Sequence, residues 1–394
     1  MPIRSVSALA VVAVAMGAAA APAPAAVPEI HAHRGGTVLD GRPTFAEETL
    51  PAFRHAARDG FVLEVDAKLT RDGVPVAIHD ATLDRTTTCS GEVRALTAVA
   101  LRACRPDVLG SPGGGLPTRR VAPRGSIPTI AEVLELARLT GAKVNLEIKN
   151  VPTDPDWDPT PAYANRVMDI VLGAGLSRSQ LLIQSFIPAN LDVARQRLPR
   201  VRTSQLSLGG DPAGLAFVRE SGYDWSSPQW PVTPAFVRQA HRLGLSVAPY
   251  TLNTRAQVRA AGRAGVDAVI TDDPLMAARA LGLRPVRAMR AGLRRRAGRI
   301  ETSGALRLPA AVGRRRGCRG VVTLRLFAAK RTVRTARARL GRDCRFQVSV
   351  PVPRGAPARL LATVAFAGNG VLLPRVIGPR AAPREGPLAV PHAG

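Results

Sequence analysis

The sequence predicts an α/β protein, a parallel (β/α)8 barrel followed by a small antiparallel β-sandwich. The chain has 394 residues, of which 46% are apolar, enough for one large domain and one small one. About eight short apolar runs alternate with amphipathic stretches up to residue 281, whereas beyond residue 304 apolar residues recur at every second position. A closed barrel fits this count better than an open sheet, because neither G-x-G-x-x-G nor G-x-x-x-x-G-K-[ST] follows a strand.

Residues 1–26 have the layout of an export signal. Arg4 precedes an apolar run of Ala, Val and Met, and small residues surround a cleavage point near Ala26. A membrane anchor is the alternative, but Pro22 and Pro24 end the run short of the roughly 20 residues that a spanning helix needs. We therefore expect a secreted or extracytoplasmic protein.

Residues 27–282 contain the predicted barrel. Its strands are Ile30–Arg34, Phe61–Leu69, Val74–His79, Lys143–Lys149, Leu181–Phe186, Arg202–Leu208, Ser246–Asn253 and Ala268–Asp272. Its helices include Ala46–Arg58, Ile130–Thr140, Pro161–Leu172, Pro234–Leu243 and Arg255–Ala264. Barrel enzymes carry their chemistry at the carboxyl ends of the strands, so the polar residues at these ends are the candidate site residues.

The rest of the chain predicts a linker and a second domain. Residues 283–304 are rich in Arg and Gly with little periodicity, which is typical of a linker or of a terminal helix that runs into one. In residues 305–394, alternating apolar positions such as Val322, Leu324 and Leu326 predict the half-buried strands of an immunoglobulin-like sandwich. No motif in this unit indicates its role.

Four cysteines form two local pairs without C-x-x-C spacing, which favours disulfides over a metal site. Cys89 pairs with Cys104, and Cys318 pairs with Cys344. The first pair lies in a long insertion, residues 88–126. This insertion either covers the mouth of the barrel or forms a surface excursion, and both interpretations are open.

The formal net charge of +26 comes mainly from the C-terminal part of the chain. Residues 282–394 contain 25 Arg or Lys and 3 Asp or Glu. An overall compositional bias towards Arg, Ala, Gly and Pro explains this positive charge without requiring an anionic binding partner. The alternative is contact with an anionic surface or cell wall through the basic domain; no specific nucleic acid is expected.

Three acidic residues are candidate metal ligands. Glu64 and Asp66 lie two residues apart on one strand, so both side chains project from the same face, and Glu147 lies in another strand. Clustered carboxylates need a counter-ion, and all-oxygen ligands suit Ca²⁺ or Mg²⁺. For each carboxylate alone, a surface or salt-bridged position is the alternative.

Two histidines lie at strand ends, where a pair with pKa values near neutrality can act as general acid and base. His33 is followed by Arg34, whose planar guanidinium suits phosphate oxygens, and His79 is followed by Asp80. A hydrogen-bonded structural role is the alternative for each histidine.

An ordered set of segments carries a family resemblance over about residues 30–281. It includes His33-Arg34-Gly35, Glu47-Glu48-Thr49-Leu50-Pro51, Leu63-Glu64-Val65-Asp66, His79-Asp80, Leu146-Glu147-Ile148-Lys149, Tyr250-Thr251-Leu252-Asn253 and Ile270-Thr271-Asp272-Asp273-Pro274. In this order the set resembles the glycerophosphodiester phosphodiesterases, barrel enzymes related to phosphatidylinositol-specific phospholipase C. The resemblance implies a TIM barrel that hydrolyses glycerophosphodiesters to glycerol 3-phosphate and an alcohol.

The resemblance also implies roles for single residues. Glu64, Asp66 and Glu147 would hold a divalent ion, His33 and His79 would exchange protons, and Arg34 and Lys149 would bind phosphate charge. Two positions depart from the family pattern: Glu48 replaces an Asn and adds negative charge near the metal, and Tyr250 replaces a Trp of the substrate wall. Which histidine acts as the acid stays open.

Two alternative functions remain at this point. The same barrel could support a phospholipase-D-like or lyase reaction on intact phospholipids. Alternatively, the protein could bind polyanions or cell wall with an inactive barrel.

Overall fold

The computed structural model describes residues 27–108, 125–329, 331–357 and 359–383. The predicted export signal, the Gly-rich stretch Ser111–Gly115 and the residues from 384 onward lie outside the described residues. In the described ranges, no helix is both long and apolar enough to cross a bilayer.

The first unit contains the barrel strands and three short accessory strands. In chain order they are β1 (Glu29–Ala32), β2 (Val38–Leu39), β3 (Arg42–Pro43), β4 (Val62–Leu69), β5 (Pro75–Ala77), β6 (Val144–Ile148), β7 (Leu181–Ser185), β8 (Arg202–Ser207), β9 (Trp225–Pro228), β10 (Ser246–Val247) and β11 (Ala268–Thr271). Eight of these pair in parallel in the order β10-β9-β8-β7-β6-β4-β1-β11. The backbone N–H of Asp267 donates to the carbonyl of Val247 at 2.9 Å and joins the two ends of this order. The predicted barrel is thereby confirmed.

The strand prediction was wrong at two places. The run Val74–His79 was expected to be a barrel strand, but it contains β5, which pairs antiparallel with β4 outside the barrel order. Strand β9 was not predicted, because Trp225–Pro228 lacks a β-branched run and ends in proline. One extra and one missing strand cancel, so the count of eight was correct.

Helices surround the barrel, and a short helix lies in the C-terminal unit. They are α1 (Leu50–Arg58), α2 (Ala98–Leu101), α3 (Ile130–Thr140), α4 (Ala162–Gly173), α5 (Pro188–Arg197), α6 (Pro212–Glu220), α7 (Pro234–Arg242), α8 (Arg255–Ala264), α9 (Pro274–Ala280) and α10 (Arg314–Gly317). Helix α3 shows why the sequence folds this way: Thr129 and Glu132 form a capping box at its start. Gly141 ends the helix with a φ of 77°. Val133 and Leu134 are fully buried, and each such side chain contributes roughly 1.5–3 kcal/mol.

The C-terminal unit consists of two antiparallel sheets. Its strands are β12 (Ala288–Arg296), β13 (Arg299–Arg307), β14 (Val321–Ala328), β15 (Arg331–Arg339), β16 (Arg345–Pro351), β17 (Leu361–Phe366) and β18 (Arg375–Ala381). One sheet has the order β12-β13-β16 and the other β15-β14-β17-β18. Apolar residues of both sheets, including Ile300, Leu324 and Val348, form one buried cluster.

The predicted linker 283–304 is wrong for most of its length, because it contains β12 and the first two thirds of β13. In β12, Met289, Ala291 and Leu293 alternate with more exposed residues, which is the pattern of a half-buried strand. Arg295 occupies the next inward-facing position. Because it and its neighbours are arginines, the alternation of apolar residues is interrupted there in the sequence.

The second unit packs against the end of the barrel where the strands begin. Thr363 Oγ1 donates to the carbonyl of Leu139 at 2.9 Å, and Arg375 forms an ion pair with Asp59. Gly60 lies so close to Pro374 that a Cβ there would come within 2.3 Å of it. The sandwich therefore lies opposite the carboxyl ends of the strands.

Both predicted disulfides are present, Cys89–Cys104 and Cys318–Cys344. The first one lies within a small apolar cluster that includes Ile78, Leu83 and Leu101. The described part of the insertion 88–126 packs on this cluster.

Candidate active site

All eight residues that the sequence singled out line one cavity of about 310 Å³ at the carboxyl ends of the barrel strands. They are His33, Arg34, Glu64, Asp66, His79, Glu147, Lys149 and Tyr250. These residues lie on or just after β1, β4, β5, β6 and β10, so only the closed barrel brings them together.

Three buried carboxylates form the floor of the cavity. Glu64, Asp66 and Glu147 each place an oxygen within 4.8 Å of the others. Burial and the neighbouring carboxylates raise the pKa of Glu64 well above its usual value, and burial raises the pKa of Glu147 to about 7. Burial also raises the pKa of Asp66, but Lys149 and other nearby cations outweigh this effect and hold it below its usual value.

This donor set fits a divalent cation. Three carboxylates in a buried position repel one another unless protons or a cation neutralise them. Asp66 Oδ2 accepts no hydrogen bond from the residues that the structure describes, which leaves an oxygen for a ligand. Oxygen donors alone suit a hard ion such as Ca²⁺ or Mg²⁺ better than zinc.

Arg34 closes one side of the carboxylate cluster. Its backbone N–H donates to Glu64 Oε2 at 2.8 Å, and its Nη1 donates to Glu47 Oε1 at 3.1 Å. Its Nε lies 3.4 Å from Asp66 Oδ2. Gly35, with a φ of 88°, lets this turn approach α1 so closely that a Cβ would come within 2.8 Å.

Lys149 lies on the other side of the cluster. Its Nζ is 3.0 Å from Glu147 Oε1 and 3.7 Å from Asp66 Oδ1. The same ammonium lies 6.0 Å from the centre of the Phe186 ring, at the edge of cation–π range. Burial lowers the pKa of Lys149, but the two carboxylates outweigh this effect and keep the group charged.

A carboxylate orients each of the two histidines. His33 Nδ1 lies 2.6 Å from Asp272 Oδ1, and His79 Nδ1 lies 2.6 Å from Asp80 Oδ1. Because Nδ1 is engaged in both rings, Nε2 is the nitrogen available to a substrate. Burial, followed by the nearby cations, lowers the pKa of His79 to about 4, so its imidazole is neutral near pH 7 in the absence of an added anion.

Tyr250 contributes a wall of the cavity. Its hydroxyl donates to the carbonyl of Ser207 at 2.9 Å, which holds the ring in place. The ring meets Phe186 edge to face, with 6.2 Å between the ring centres. The two rings form an aromatic part of the cavity wall.

Glu48 lies behind the metal-ligand candidates, as its departure from the family pattern indicated. Its Oε1 accepts a hydrogen bond from the backbone N–H of Asp66 at 3.0 Å. Burial, Asp66 and Glu64 raise the pKa of Glu48 well above its usual value. The raised pKa favours the neutral form of Glu48, which adds no negative charge to the cluster.

Sequence reasoning assigned no role to three residues that support the site. Asp272 orients His33, Gln184 donates to Glu64 Oε1 at 2.7 Å, and Arg85 joins Asp80 to Glu47. Asp272 was part of a matching segment, but the contacts of these residues join distant parts of the chain and no spacing reveals them.

The sequence model of the glycerophosphoryl diester phosphodiesterase family matches residues 33–276. Among curated proteins, a glycerophosphodiester phosphodiesterase of Caldanaerobacter subterraneus subsp. tengcongensis is 28% identical over 249 residues, which are 62% of this chain and 93% of that protein. Glycerophosphodiester phosphodiesterase 1 of Bos taurus is 36% identical over 258 residues, covering 57% of this chain and 71% of that protein.

A solved structure from Silicibacter pomeroyi with the same family description resembles the barrel. Its TM-score is 0.56 at 26% identity, over 65% of this chain and 93% of that chain. The family match ends before β12, so the resemblance concerns the barrel and not the C-terminal sheets.

Proposed function

The chain belongs to the glycerophosphoryl diester phosphodiesterase family, whose members are phosphoric diester hydrolases, and we propose that it hydrolyses glycerophosphodiesters to glycerol 3-phosphate and an alcohol. The observation that carries this proposal is the single cavity that joins three carboxylates, two cations and two carboxylate-oriented histidines. An anionic diester, a divalent cation and two proton-transfer groups are the components that such a reaction needs.

Arg34 and Lys149 would bind the phosphate. They contact different oxygens of Asp66, Arg34 Nε at 3.4 Å from Oδ2 and Lys149 Nζ at 3.7 Å from Oδ1. A phosphate above this cluster would accept hydrogen bonds from the guanidinium and the ammonium. Glu64, Asp66 and Glu147 would hold a divalent ion, Ca²⁺ or Mg²⁺, which when bound neutralises the charge that develops on the phosphate oxygens.

His33 and His79 would move the protons. One imidazole takes the proton from the attacking glycerol hydroxyl or water as the new bond to phosphorus forms. The other gives a proton to the alcohol oxygen as its bond to phosphorus breaks. If the glycerol hydroxyl attacks, water then opens the resulting cyclic phosphate, so the net reaction consumes one water and yields glycerol 3-phosphate and the alcohol.

The test is release of glycerol 3-phosphate from a panel of glycerophosphodiesters, with divalent cations added or chelated. We expect turnover that stops on chelation and falls at least about 100-fold in His33→Ala and in His79→Ala. Leu172→Ala, on the outer surface of α4, is the control and should match the wild type. Full activity in both folded histidine variants would refute the proposal.

A phospholipase-D-like or lyase reaction on intact phospholipids is the nearest alternative. Product analysis separates the reactions, because hydrolysis gives glycerol 3-phosphate, a lyase reaction ends at a cyclic phosphate, and cleavage of an intact phospholipid leaves a lipid phosphate. An inactive, purely binding barrel is disfavoured by the complete set of proton-transfer and cationic groups in the cavity.

Export and surface contact are separate proposals. Residues 1–26 support export, which the amino-terminal sequence of the mature protein in culture medium would test. Exposed Arg290, Arg294 and Arg345 on the outer face of the β12-β13-β16 sheet support contact with an anionic surface or cell wall. Salt-sensitive retention on anionic polymer that is lost in Arg294→Glu/Arg345→Glu would support the second proposal, and equal retention would end it.

A further inference from the structure

A second cavity adjoins the candidate active site. It has a volume of about 460 Å³, and His79, Lys149, Phe186 and Leu208 line both cavities. We call this second cavity the side basin. A substrate whose phosphate lies between Lys149 and His79 therefore has room for one of its two ester groups in the side basin.

The wall of the side basin is mainly apolar. Val151, Pro152 and Ile187 line it together with Phe186 and Leu208. Leu208 is 80% exposed, although large apolar side chains are usually withdrawn from solvent. An apolar group that covered this surface would gain from the release of water.

Both carboxylates at the side basin have cationic partners, although Lys68 also contacts Asp156 and Arg85 also contacts Glu47. Asp80 accepts hydrogen bonds from Arg85 at 2.6 and 3.0 Å, and Lys68 Nζ donates to Asp154 at 2.5 Å. Lys68 itself is fully buried. The side basin thus offers no unpaired carboxylate, among the residues described, to an ammonium group such as that of choline or ethanolamine.

The main cavity has amide side chains that the side basin lacks. Gln184, Gln229 and Gln257 line the main cavity and not the side basin. Amide side chains can donate to and accept from hydroxyl groups, so the main cavity suits the glycerol part of a diester. The difference in polarity between the two cavities favours one orientation of the substrate.

We propose that the side basin binds the leaving alcohol and selects uncharged, apolar alcohols over ammonium alcohols. This inference rests on the proposed function. In this orientation the bond from phosphorus to the apolar alcohol breaks next to His79, and the glycerol part stays in the main cavity with the amide side chains.

The test uses the full-length protein and glycerophosphate esters of ethanol, butanol and hexanol, with glycerophosphocholine and glycerophosphoethanolamine for comparison. We expect kcat/KM to rise about two- to fourfold for each methylene added within the side basin. The ammonium esters should be the poorest substrates. Equal kcat/KM across all five esters would overturn the inference, whereas cleavage of none of them would instead refute the proposed function.

An alkyl chain attached to the glycerol part of the substrate could also occupy the side basin. The test therefore includes 1-acyl glycerophosphocholine, whose alkyl chain lies on the other side of the phosphate. The inference requires that the hexyl ester be preferred and that this lysolipid have no advantage over glycerophosphocholine. The reverse order would place the glycerol side in the side basin and contradict the inference.

Two matched variants locate the effect. Leu208→Asp introduces an unpaired carboxylate at the rim of the side basin and should lower the hexyl-to-choline ratio of kcat/KM at least about tenfold. Leu172→Asp adds the same charge on α4, where the side chain is 42% exposed and lines neither cavity, and should leave the ratio unchanged. Equal ratios in the two variants would contradict the assignment.

Discussion

Asp66 and Glu147 are register partners on the neighbouring parallel strands β4 and β6, and Lys149 Nζ lies within 3.7 Å of a carboxylate oxygen of each. Parallel pairing puts the two carboxylates side by side at the same level of the barrel. The backbone thus fixes two of the three candidate metal ligands before any side chain adjusts.

The first prediction concerns stability and pH in the metal-free protein. Burial raises the pKa of Glu147 to about 7, above the roughly 4.3 of an unfolded glutamate. Between these values the folded protein holds a proton that the unfolded chain has released. The contribution of Glu147 to the free energy of unfolding therefore falls as the pH rises from about 4.5 to about 7.

Glu147→Gln removes this titration. With chelator present, we expect wild type to lose roughly 1–3 kcal/mol relative to the variant between pH 4.5 and pH 7.5, measured by urea unfolding. Parallel stability curves for the two proteins would show that Glu147 is not buried against other carboxylates.

The second prediction concerns Asp272, which positions His33. Asp272→Asn keeps the shape of the side chain but no longer holds Nδ1–H with a negative charge. We expect kcat to fall at least about tenfold with little change in KM, because the imidazole loses its orientation and not its contact with substrate. Asp169→Asn, which breaks a surface ion pair with Arg197, is the control. A pure KM effect would point to substrate binding by Asp272 instead.

The third prediction assigns the proton donor. His79 lies where the main cavity meets the side basin, so it should protonate the leaving alcohol. A bound phosphate anion adds negative charge beside the ring and raises its pKa towards the protonated form. p-Nitrophenolate leaves without a proton, so His79→Ala should keep most of its activity on glycerophospho-p-nitrophenol.

His33→Ala should lose activity on this ester as well as on alkyl esters. The comparison is the ratio of kcat on the p-nitrophenyl and butyl esters in the two variants. Similar losses on both esters in His79→Ala would exclude it as the proton donor.

The fourth prediction concerns the buried ion pairs of Lys68. Its Nζ contacts Asp154 at 2.5 Å and Asp156 at 2.9 Å, and it holds the loop after β6 that forms one wall of the side basin. Lys68→Met would leave two carboxylates without their partner and should lower the free energy of unfolding by about 3 kcal/mol or more. Arg94→Met breaks a half-exposed pair with Glu92 and should change it by less than about 1 kcal/mol. Equal effects would mean that the Lys68 pairs are solvated.

The eight residues that the sequence singled out share one cavity, whereas one predicted barrel strand lies outside the barrel and another strand was missed. Glu64, Asp66 and Glu147 were identified from the alternation of side chains within strands and from the family resemblance. Both signals lie within a few neighbouring residues of the sequence. Strand β9 was missed because the residues Trp225–Pro228 have no strand-like pattern of apolar residues. They are buried because the neighbouring strands and helices cover them.

The side-chain partners needed the fold. His33 and Asp272 are 239 residues apart, and the pairing of β1 with β11 in the closed barrel brings them together. The neutralisation of Asp154 by Lys68 likewise depends on how the loop after β6 folds back over β4. Such contacts have no signature in spacing or composition.

The most direct test of the account is a metal titration of metal-depleted protein, followed in the same sample by calorimetry and by release of glycerol 3-phosphate from the butyl ester. We predict that one divalent ion binds per chain, that activity rises with this binding, and that Asp66→Asn loses both at least about 100-fold. Full turnover in the metal-depleted protein, or unchanged ion binding in Asp66→Asn, would contradict the account.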